Sequence, residues 1–204
     1  MTRSVARELI LSRYLVSGMR VAPLVVGAIA AMTLLAYQGG VADTIGRLRV
    51  IGLLLALASG FVLDDAAATT LQASPYSLAR RLWLRIGYGA TVIAGLWTIA
   101  LVRLLPAAPA HQRATLGLGV TVELAAALTI VWAAAASGRR RGVDEPGIAT
   151  APVLLGLIFV GAAQQRFPLL VGLGADWLRA HLGWTVILAV AIALLAYEIH
   201  GVPR

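Results

Sequence analysis

The sequence predicts an all-α polytopic membrane protein whose residues 1–204 form a single transmembrane domain. Three observations support this class. Hydrophobic residues make up 60% of the chain, mean hydropathy is +0.87, and charged residues gather at the ends of recurring apolar stretches. Soluble domains are less apolar, at about 45–50%. The spans leave no room for a separate soluble domain of ordinary size.

Six apolar stretches are long enough to cross a bilayer as helices. A hydrocarbon core of about 30 Å needs roughly 17–25 helical residues, and fewer where arginines at the ends reach the headgroups. Small residues at helical spacing, such as Gly27 and Ala31, predict close contacts between helices. The six spans cover about residues 21–37, 48–63, 84–105, 115–136, 148–163 and 182–197.

Two further segments complete the predicted architecture. Residues 2–19 place apolar side chains on one face, which predicts a helix along the membrane surface, although a simple extension of span one remains open. Residues 167–174 are apolar but too short to cross. They predict a re-entrant or interfacial hairpin before span six, with Trp177 and Trp184 at headgroup level; a loop on the membrane surface is the alternative.

The distribution of arginine predicts the orientation. All seventeen basic residues are arginines. If the N-terminus is cytoplasmic, eleven lie on that side, and six lie opposite: Arg47, Arg49, Arg103, Arg113, Arg166 and Arg179. This excess follows the positive-inside rule, so we expect both termini in the cytoplasm, as an even number of spans requires.

The composition argues against several classes of chemistry. There is no cysteine, and the three histidines lie at predicted span ends or in loops, so we expect no metal or haem site. No glycine-rich phosphate loop is present, so we do not expect the chain to hydrolyse ATP. The net charge of +8 comes from dispersed arginines without interleaved aromatic residues, and no nucleic-acid partner is expected. We predict no catalytic residues and no bound cofactor.

The polar segment between spans two and three is predicted to be structured. Span two ends in Asp64 and Asp65, and the chain then breaks at Ser74–Pro75. Carboxylates are favourable at a helix N-terminus, and proline fits the first turn of a helix. We therefore predict a protruding helix–turn–helix with Ser74, Pro75 and Tyr76 at its tip. An ordinary cytoplasmic loop is the alternative.

Glu123 is an ionisable residue near the middle of span four. A charged side chain at mid-membrane costs about 3 kcal/mol on insertion scales, so Glu123 should face protein or a water-filled cavity. It could be protonated, contact a cationic substrate or pair with an arginine, for which Arg103 of span three is a candidate. A plain polar contact between helices explains Glu123 equally well.

Together these features resemble the membrane subunit of a bacterial type-2 ABC exporter, a permease that works with a separate ATPase. The resemblance covers the whole chain as architecture. In detail it rests on the run Leu63-Asp64-Asp65-Ala66-Ala67, followed by Thr70, Ala73-Ser74-Pro75, Arg80-Arg81 and Arg85. Similar permeases carry such a run, usually with proline where Ala66 stands.

The resemblance implies a location in the bacterial cytoplasmic membrane and two protein partners. An ABC ATPase would bind ATP and magnesium, and a second permease copy, identical or homologous, would complete a path surrounded by membrane lipids. Glu123 and Arg103 would be polar candidates along that path. A coupling helix at about 66–81, within a coupling loop at 64–83, would dock on the ATPase through Asp64, Asp65, Thr70, Ser74, Pro75, Tyr76, Arg80, Arg81 and Arg85.

Two other functions are consistent with the residues. The chain could be a carrier that works without ATP and uses Glu123 as its proton-coupling acid, which predicts transport driven by a pH gradient. It could also be a non-transporting membrane scaffold or assembly subunit. That function predicts that Glu123 and the 64–85 segment tolerate substitution unless a specific partner is lost.

Overall fold

A computed structural model describes residues 20–36, 41–64, 77–143, 145–163, 170, 174 and 176–200. Within these ranges every regular element is helical and no strand occurs, which confirms the all-α class. The α-helices are α1 (Ala22–Ala36), α2 (Val41–Gly60), α3 (Leu78–Leu104), α4 (Arg113–Arg140), α5 (Thr150–Ala163) and α6 (Trp177–His200). Short 3-10 turns occupy Phe61–Leu63, Leu105–Ala107, Ala110–Gln112 and Pro146–Ala149.

Among the described residues, four helical stretches are long and apolar enough to cross a membrane: Thr44–Leu63, Ala79–Ala107, Ala110–Arg140 and Trp177–His200. Two shorter apolar helices, Ala22–Ala36 and Pro146–Gly156, accompany them. A bundle of such helices is that of a membrane-embedded protein, because their apolar length matches the hydrocarbon thickness of a bilayer.

Successive helices run in opposite directions, which gives the bundle two ends. At one end, Arg140 at the end of α4 lies 3.5 Å from Glu198 at the end of α6. Asp64 follows α2 at this end, which we call the Asp64 end. The beginnings of α4 and α6 meet at the other, the Glu123 end, where His181 faces Glu123 at 3.1 Å.

α4 is the central helix and packs against α2, α3, α5 and α6. Fifteen of its 28 residues are buried, and many of them are alanine or glycine, whose small side chains let neighbouring helices approach closely. α6, in contrast, exposes Leu178, Leu182, Val186 and Val190 at intervals of four residues, on one face of the helix. The core therefore centres on α4, while α6 is peripheral.

The predicted close contact at Gly27 and Ala31 is confirmed between α1 and α2. Both residues are buried. A Cβ atom added to Gly27 would lie 2.6 Å from Cβ of Ala58 in α2, so the two backbones meet without room for a larger residue. Van der Waals contact of this kind holds helices together where apolar burial offers no advantage over lipid.

Two helices begin earlier than predicted. α2 begins at Val41 and α6 at Trp177, against predicted starts near 48 and 182. Arg47 and Arg49 therefore lie inside α2, and the prediction that they lie in a loop is wrong. Trp177 and Trp184, expected at headgroup level, are buried at 6% and 5% exposure because they pack against protein.

Several predictions concern residues outside the described ranges. They are the interfacial helix at 2–19, most of the hairpin at 167–174, and the loop residues Asp65, Thr70, Ser74, Pro75 and Tyr76. The helix that follows the loop begins at Leu78, and Ser77 is its N-cap: the Ser77 hydroxyl oxygen accepts a hydrogen bond from the Arg80 N–H at 3.4 Å.

Candidate functional site

Two polar clusters lie at opposite ends of the bundle. The Asp64 cluster comprises Arg20, Asp64, Arg85, Glu145 and Gly147. The Glu123 cluster comprises Arg49, Gly119, Glu123, Trp177 and His181. Burying an ionisable side chain within a membrane protein costs free energy unless the side chain is paired. These two clusters of paired polar residues are therefore the candidate functional sites.

Asp64 joins the end of α2 to the beginning of α5. Its side chain is 1% exposed, and Oδ1 accepts a hydrogen bond from the Gly147 N–H at 2.8 Å. Gly147 lies in the 3-10 turn that leads into α5, where backbone N–H groups lack partners within the helix. The carboxylate therefore caps a helix that follows it by 83 residues. Oδ2 has no hydrogen-bond partner among the described residues.

This contact between α2 and α5 requires glycine on both sides. A Cβ atom on Gly147 would lie 2.8 Å from Cδ1 of Phe61 and 3.0 Å from Oδ2 of Asp64. A Cβ atom on Gly60 would lie 2.6 Å from Oγ1 of Thr150. The end of α2 therefore presses directly against the backbone at the beginning of α5.

Burial raises the pKa of the Asp64 carboxyl above its ordinary value of 3.8. The Gly147 N–H and the positive charges of Arg20 and Arg139 oppose that rise without cancelling it. Arg20 is exposed and pairs with Glu145 at 2.5 Å, and this hydrogen bond and charge raise the pKa of Arg20. Burial therefore disfavours the ionised form of Asp64, and the neighbouring cations partly compensate.

Arg85 links the beginning of α3 to the same carboxylate residue. It is 2% exposed, and its Nη1 donates to the backbone carbonyl oxygen of Asp64 at 3.2 Å. Asp64 therefore contacts both the first turns of α3 and the beginning of α5. Of the predicted loop residues within the described ranges, the structure brings Asp64 and Arg85 together, whereas Arg80 is exposed and Arg81 is half-buried.

Glu123 pairs with Arg49 in place of the predicted Arg103. Arg49 Nε donates to Oε2 at 2.7 Å and Nη2 donates to Oε1 at 2.6 Å, a bidentate arrangement. Arg103 is exposed on α3. Arg49 reaches Glu123 because α2 starts early and packs directly on α4, so the prediction of Arg103 as the partner is wrong.

His181 is the residue of this cluster that sequence reasoning missed. Its Nε2 lies 3.1 Å from Oε1 of Glu123 and makes no hydrogen bond among the described residues, and its Nδ1 lies 2.7 Å from the carbonyl oxygen of Trp177. The Trp177 and His181 rings contact each other at an interplanar angle of 35°, with centroids 4.0 Å apart. Residues four apart share a helix face, so the spacing of Trp177 and His181 is the signal that could have indicated them as a pair.

Gly119 makes room for these rings. A Cβ atom at this position would lie 2.6 Å from Nε2 of His181 and would overlap Cζ2 of Trp177. Arg49 completes the arrangement, with Cζ 5.9 Å from the centroid of the Trp177 ring, within reach of a cation–π interaction. Three helices thus meet at one compact ionic centre.

Neither cluster has the composition of a metal site. No group of three or more histidine, cysteine, aspartate or glutamate residues that could hold a metal ion occurs in the described ranges. A cleft of about 230 Å³ lies beside α4, α5 and α6 near the Asp64 end, with apolar walls and two polar lining residues, Ser137 and Glu198. The contacts observed within the two clusters are ion pairs and hydrogen bonds.

The chain matches no protein-family model, no curated protein and no solved structure.

Proposed function

We propose that the chain is the permease subunit of an ATP-driven ABC exporter, coupled to a separate ATPase and completed by a second permease copy. The observation that carries the proposal is the double attachment at Asp64. Its backbone carbonyl accepts from Arg85 of α3, and its side chain caps α5. A push on the 65–76 segment would therefore reach α2, α3 and α5 together, as a coupling loop requires.

The proposal includes six spans, with α1 and α5 crossing beside the four longer helices. α5 and the preceding 3-10 turn cover Pro146–Ala149 and Thr150–Ala163, which at 1.5–2.0 Å per residue gives about 29 Å. α1 is shorter, at about 22 Å. The exposed Arg20 before it can extend to the headgroups, so a short apolar helix remains sufficient.

The Asp64 end would face the cytoplasm, where the ATPase with its ATP and magnesium would bind. Cytoplasmic ends of spans are enriched in arginine. Among the described residues the Asp64 end carries seven arginines and the opposite end five, of which Arg49 is paired with Glu123. The seven are Arg20, Arg80, Arg81, Arg85, Arg139, Arg140 and Arg141, and the five are Arg47, Arg49, Arg103, Arg113 and Arg179. Both observations support this orientation, with both termini on the cytoplasmic side of a bacterial plasma membrane.

The translocation path would lie between two permease copies. Within one copy Glu123 is already engaged by Arg49, which favours a structural role for that pair. α3 exposes Thr91, Thr98 and Arg103, and hydroxyl and guanidinium groups facing outward from a membrane helix are suited to a polar path shared with a second copy.

Co-expression with a candidate ATPase tests the proposal. We expect the ATPase to co-purify with the chain and to hydrolyse ATP faster in proteoliposomes that contain it. Asp64→Ala combined with Asp65→Ala should lower this stimulation while membrane insertion is retained, and Arg80→Ala combined with Arg81→Ala should do the same. Gly156→Ala, at an exposed position with open space, is the control. Normal coupling in both double variants would contradict the proposed coupling loop.

A proton-coupled carrier is the second candidate, favoured by the buried contact between Glu123 and His181. Liposomes containing the purified chain alone distinguish the two functions. Solute uptake driven by a pH gradient without any ATPase, and lost in Glu123→Gln, would establish the carrier in place of the exporter.

A further inference from the structure

The cleft beside α4, α5 and α6 ends in a carboxylate with capacity for a further ligand. Its walls are apolar, and Ser137 and Glu198 line it at the Asp64 end. The Glu198 side chain is 17% exposed, and its hydrogen bond among the described residues is the contact with Arg140 at 3.5 Å. The Arg49–Glu123 pair is much closer, at 2.6 Å. Because a carboxylate accepts several hydrogen bonds, Glu198 can accept from another donor.

The cleft extends from headgroup level toward the middle of the bilayer. Its lining residues span 130–137 on α4 and 191–198 on α6, a rise of about 10 Å along each helix. Trp83 and Tyr197 are exposed at the Asp64 end, and tryptophan and tyrosine concentrate at the level of lipid headgroups. The polar end of the cleft therefore lies at the membrane interface, and its apolar part lies beside the lipid chains.

The cleft opens sideways toward lipid. Val153 and Leu194 line it and are 44% and 52% exposed. Its volume of about 230 Å³ is smaller than the roughly 300–1,000 Å³ of sites that enclose a solute. A segment of one hydrocarbon chain would gain van der Waals contact along these walls, whereas a polar solute would leave its polar groups unpaired against them.

We propose that the cleft binds an aminophospholipid, a membrane lipid whose headgroup carries a phosphate and a primary ammonium group. One acyl chain occupies the apolar cleft, and the ammonium group donates to Glu198. Arg140 and Arg141 bind the phosphate; they follow Ser137 by three and four residues, so they lie on the face of α4 that lines the cleft. The site requires a membrane around the chain and does not rest on export.

The two signs of charge at the polar end of the cleft select this headgroup. A purely cationic amphiphile would be attracted by Glu198 but repelled by the two arginines, and a purely anionic lipid would lie beside the Glu198 carboxylate. A headgroup with both charges pairs with both kinds of side chain. A choline headgroup also carries both charges, but its quaternary nitrogen has no N–H group to donate to the carboxylate.

The first test compares lipids that have identical acyl chains. The purified protein in detergent is titrated with phosphatidylethanolamine, phosphatidylcholine or phosphatidylglycerol, and Tm is followed, because a ligand of the folded state raises Tm. We expect phosphatidylethanolamine to bind about tenfold more tightly than either of the others, since only its headgroup pairs with both charges and donates to the carboxylate. Equal affinities for the three lipids would overturn the proposal.

Substitutions at the polar end test which side chain binds which group. Glu198→Gln should remove the preference for phosphatidylethanolamine over phosphatidylglycerol, and Arg140→Gln should weaken the binding of both lipids. Each comparison is made on one variant, so a change in the variant's own stability cancels. Arg179→Gln, an exposed arginine at the other end of α6, is the control and should keep the native preference. An undiminished preference in Glu198→Gln would show that the carboxylate does not bind the ammonium group.

A third test locates the acyl chain. Phosphatidylethanolamine with a photoreactive diazirine near the end of one chain is incorporated with the protein into nanodiscs, and the cross-linked residues are identified by mass spectrometry. We expect cross-links at 130–134 of α4 to exceed those on the exposed face of α6 at 182–190. Ala134→Leu, which fills the cleft, should remove this excess, and Ala189→Leu, exposed outside the lining, should not.

Two outcomes of the localisation experiment would overturn the proposal. One is equal cross-linking of the cleft and the exposed face of α6. The other is efficient formation of disulfide-linked dimers by Leu194→Cys, the single cysteine of that variant, because a second copy would then cover the cleft. Lipid selectivity at this site has no bearing on the ATPase-coupling experiment, so the two proposals fail separately.

Discussion

The carboxylate of Asp64 is hydrogen-bonded to the backbone N–H of Gly147 at 2.8 Å, although 83 residues separate them. The bond fixes the end of one apolar helix to the beginning of another at the edge of the membrane-spanning region. Both partners are buried, so water does not compete for the donor or the acceptor. This junction is expected to be sensitive to small changes in side-chain size and charge.

Gly147→Ala should destabilise the protein. The added methyl group would lie 2.8 Å from Phe61 Cδ1 and 3.0 Å from the Phe61 Cα, so backbone as well as side chain must move. Overpacking of this kind costs about 1–3 kcal/mol. Thermal unfolding of the purified protein in detergent should show a lower Tm. Gly156→Ala on α5 meets nothing within 4 Å and is the control; equal Tm values for the two variants would contradict the close contact.

Asp64→Asn should remove part of the pH dependence of stability. Burial raises the pKa of Asp64 above 3.8, so the folded chain binds this proton at pH values at which the unfolded chain has lost it. The group's contribution to stability is therefore largest below 3.8 and falls as pH rises through the raised pKa of the folded state.

The measurement is the difference in Tm between the native sequence and Asp64→Asn as a function of pH. Asparagine keeps an oxygen acceptor for the Gly147 N–H but does not ionise. We expect the native protein to lose stability relative to the variant as pH rises from about 4 to about 7. The opposite slope would mean that the folded state stabilises the Asp64 carboxylate.

Arg49→Ala should be strongly destabilising, while Arg103→Ala should have little effect. The Arg49 and Glu123 side chains are 15% and 8% exposed, and removing one partner of a buried pair costs about 3 kcal/mol or more. Arg103 is exposed and serves as the matched arginine control. Combining Arg49→Met with Glu123→Leu should recover most of the loss. Comparable Tm losses in the two single alanine variants would rule out this prediction.

Gly119→Ala should disturb the Glu123 cluster specifically. Its methyl group would overlap the Trp177 ring and approach Nε2 of His181 to 2.6 Å. Gly52→Ala, where a Cβ atom would make ordinary contacts of 3.6–3.8 Å, is the control at a buried position. We expect a lower Tm and a shift in Trp fluorescence for Gly119→Ala alone. An unchanged Tm and spectrum would show that the rings are not held against Gly119.

The sequence predicted the helices well because each is a nearly continuous apolar run. It failed at Arg49 and His181 for one physical reason. An arginine or histidine near the end of an apolar run usually lies at the membrane interface, and only the contact with Glu123 draws these two inside. That contact depends on the rotation of α2 and α6 about their axes, which apolar runs without a polar face do not specify.

At Asp64, too, the sequence predicted the type of interaction but not the partner. Asp64 was predicted to be a helix cap, and it is one, but for the beginning of α5 rather than for the residues that follow it in sequence. Capping preferences identify the residue type and not its partner, because an N–H donor from a distant helix satisfies a carboxylate as well as a local one. Gly147 and Gly60 are the residues that could have indicated the contact between α2 and α5, because their lack of a side chain permits it.

Arg49 and Asp64 belong to one unbroken rod. α2 runs from Val41 to Gly60 and continues as a 3-10 turn through Leu63, so the two residues are about 22 Å apart with no flexible joint between them. An axial shift or rotation of this segment would therefore change the hydrogen bond between Asp64 and Gly147 and the ion pair between Arg49 and Glu123 together.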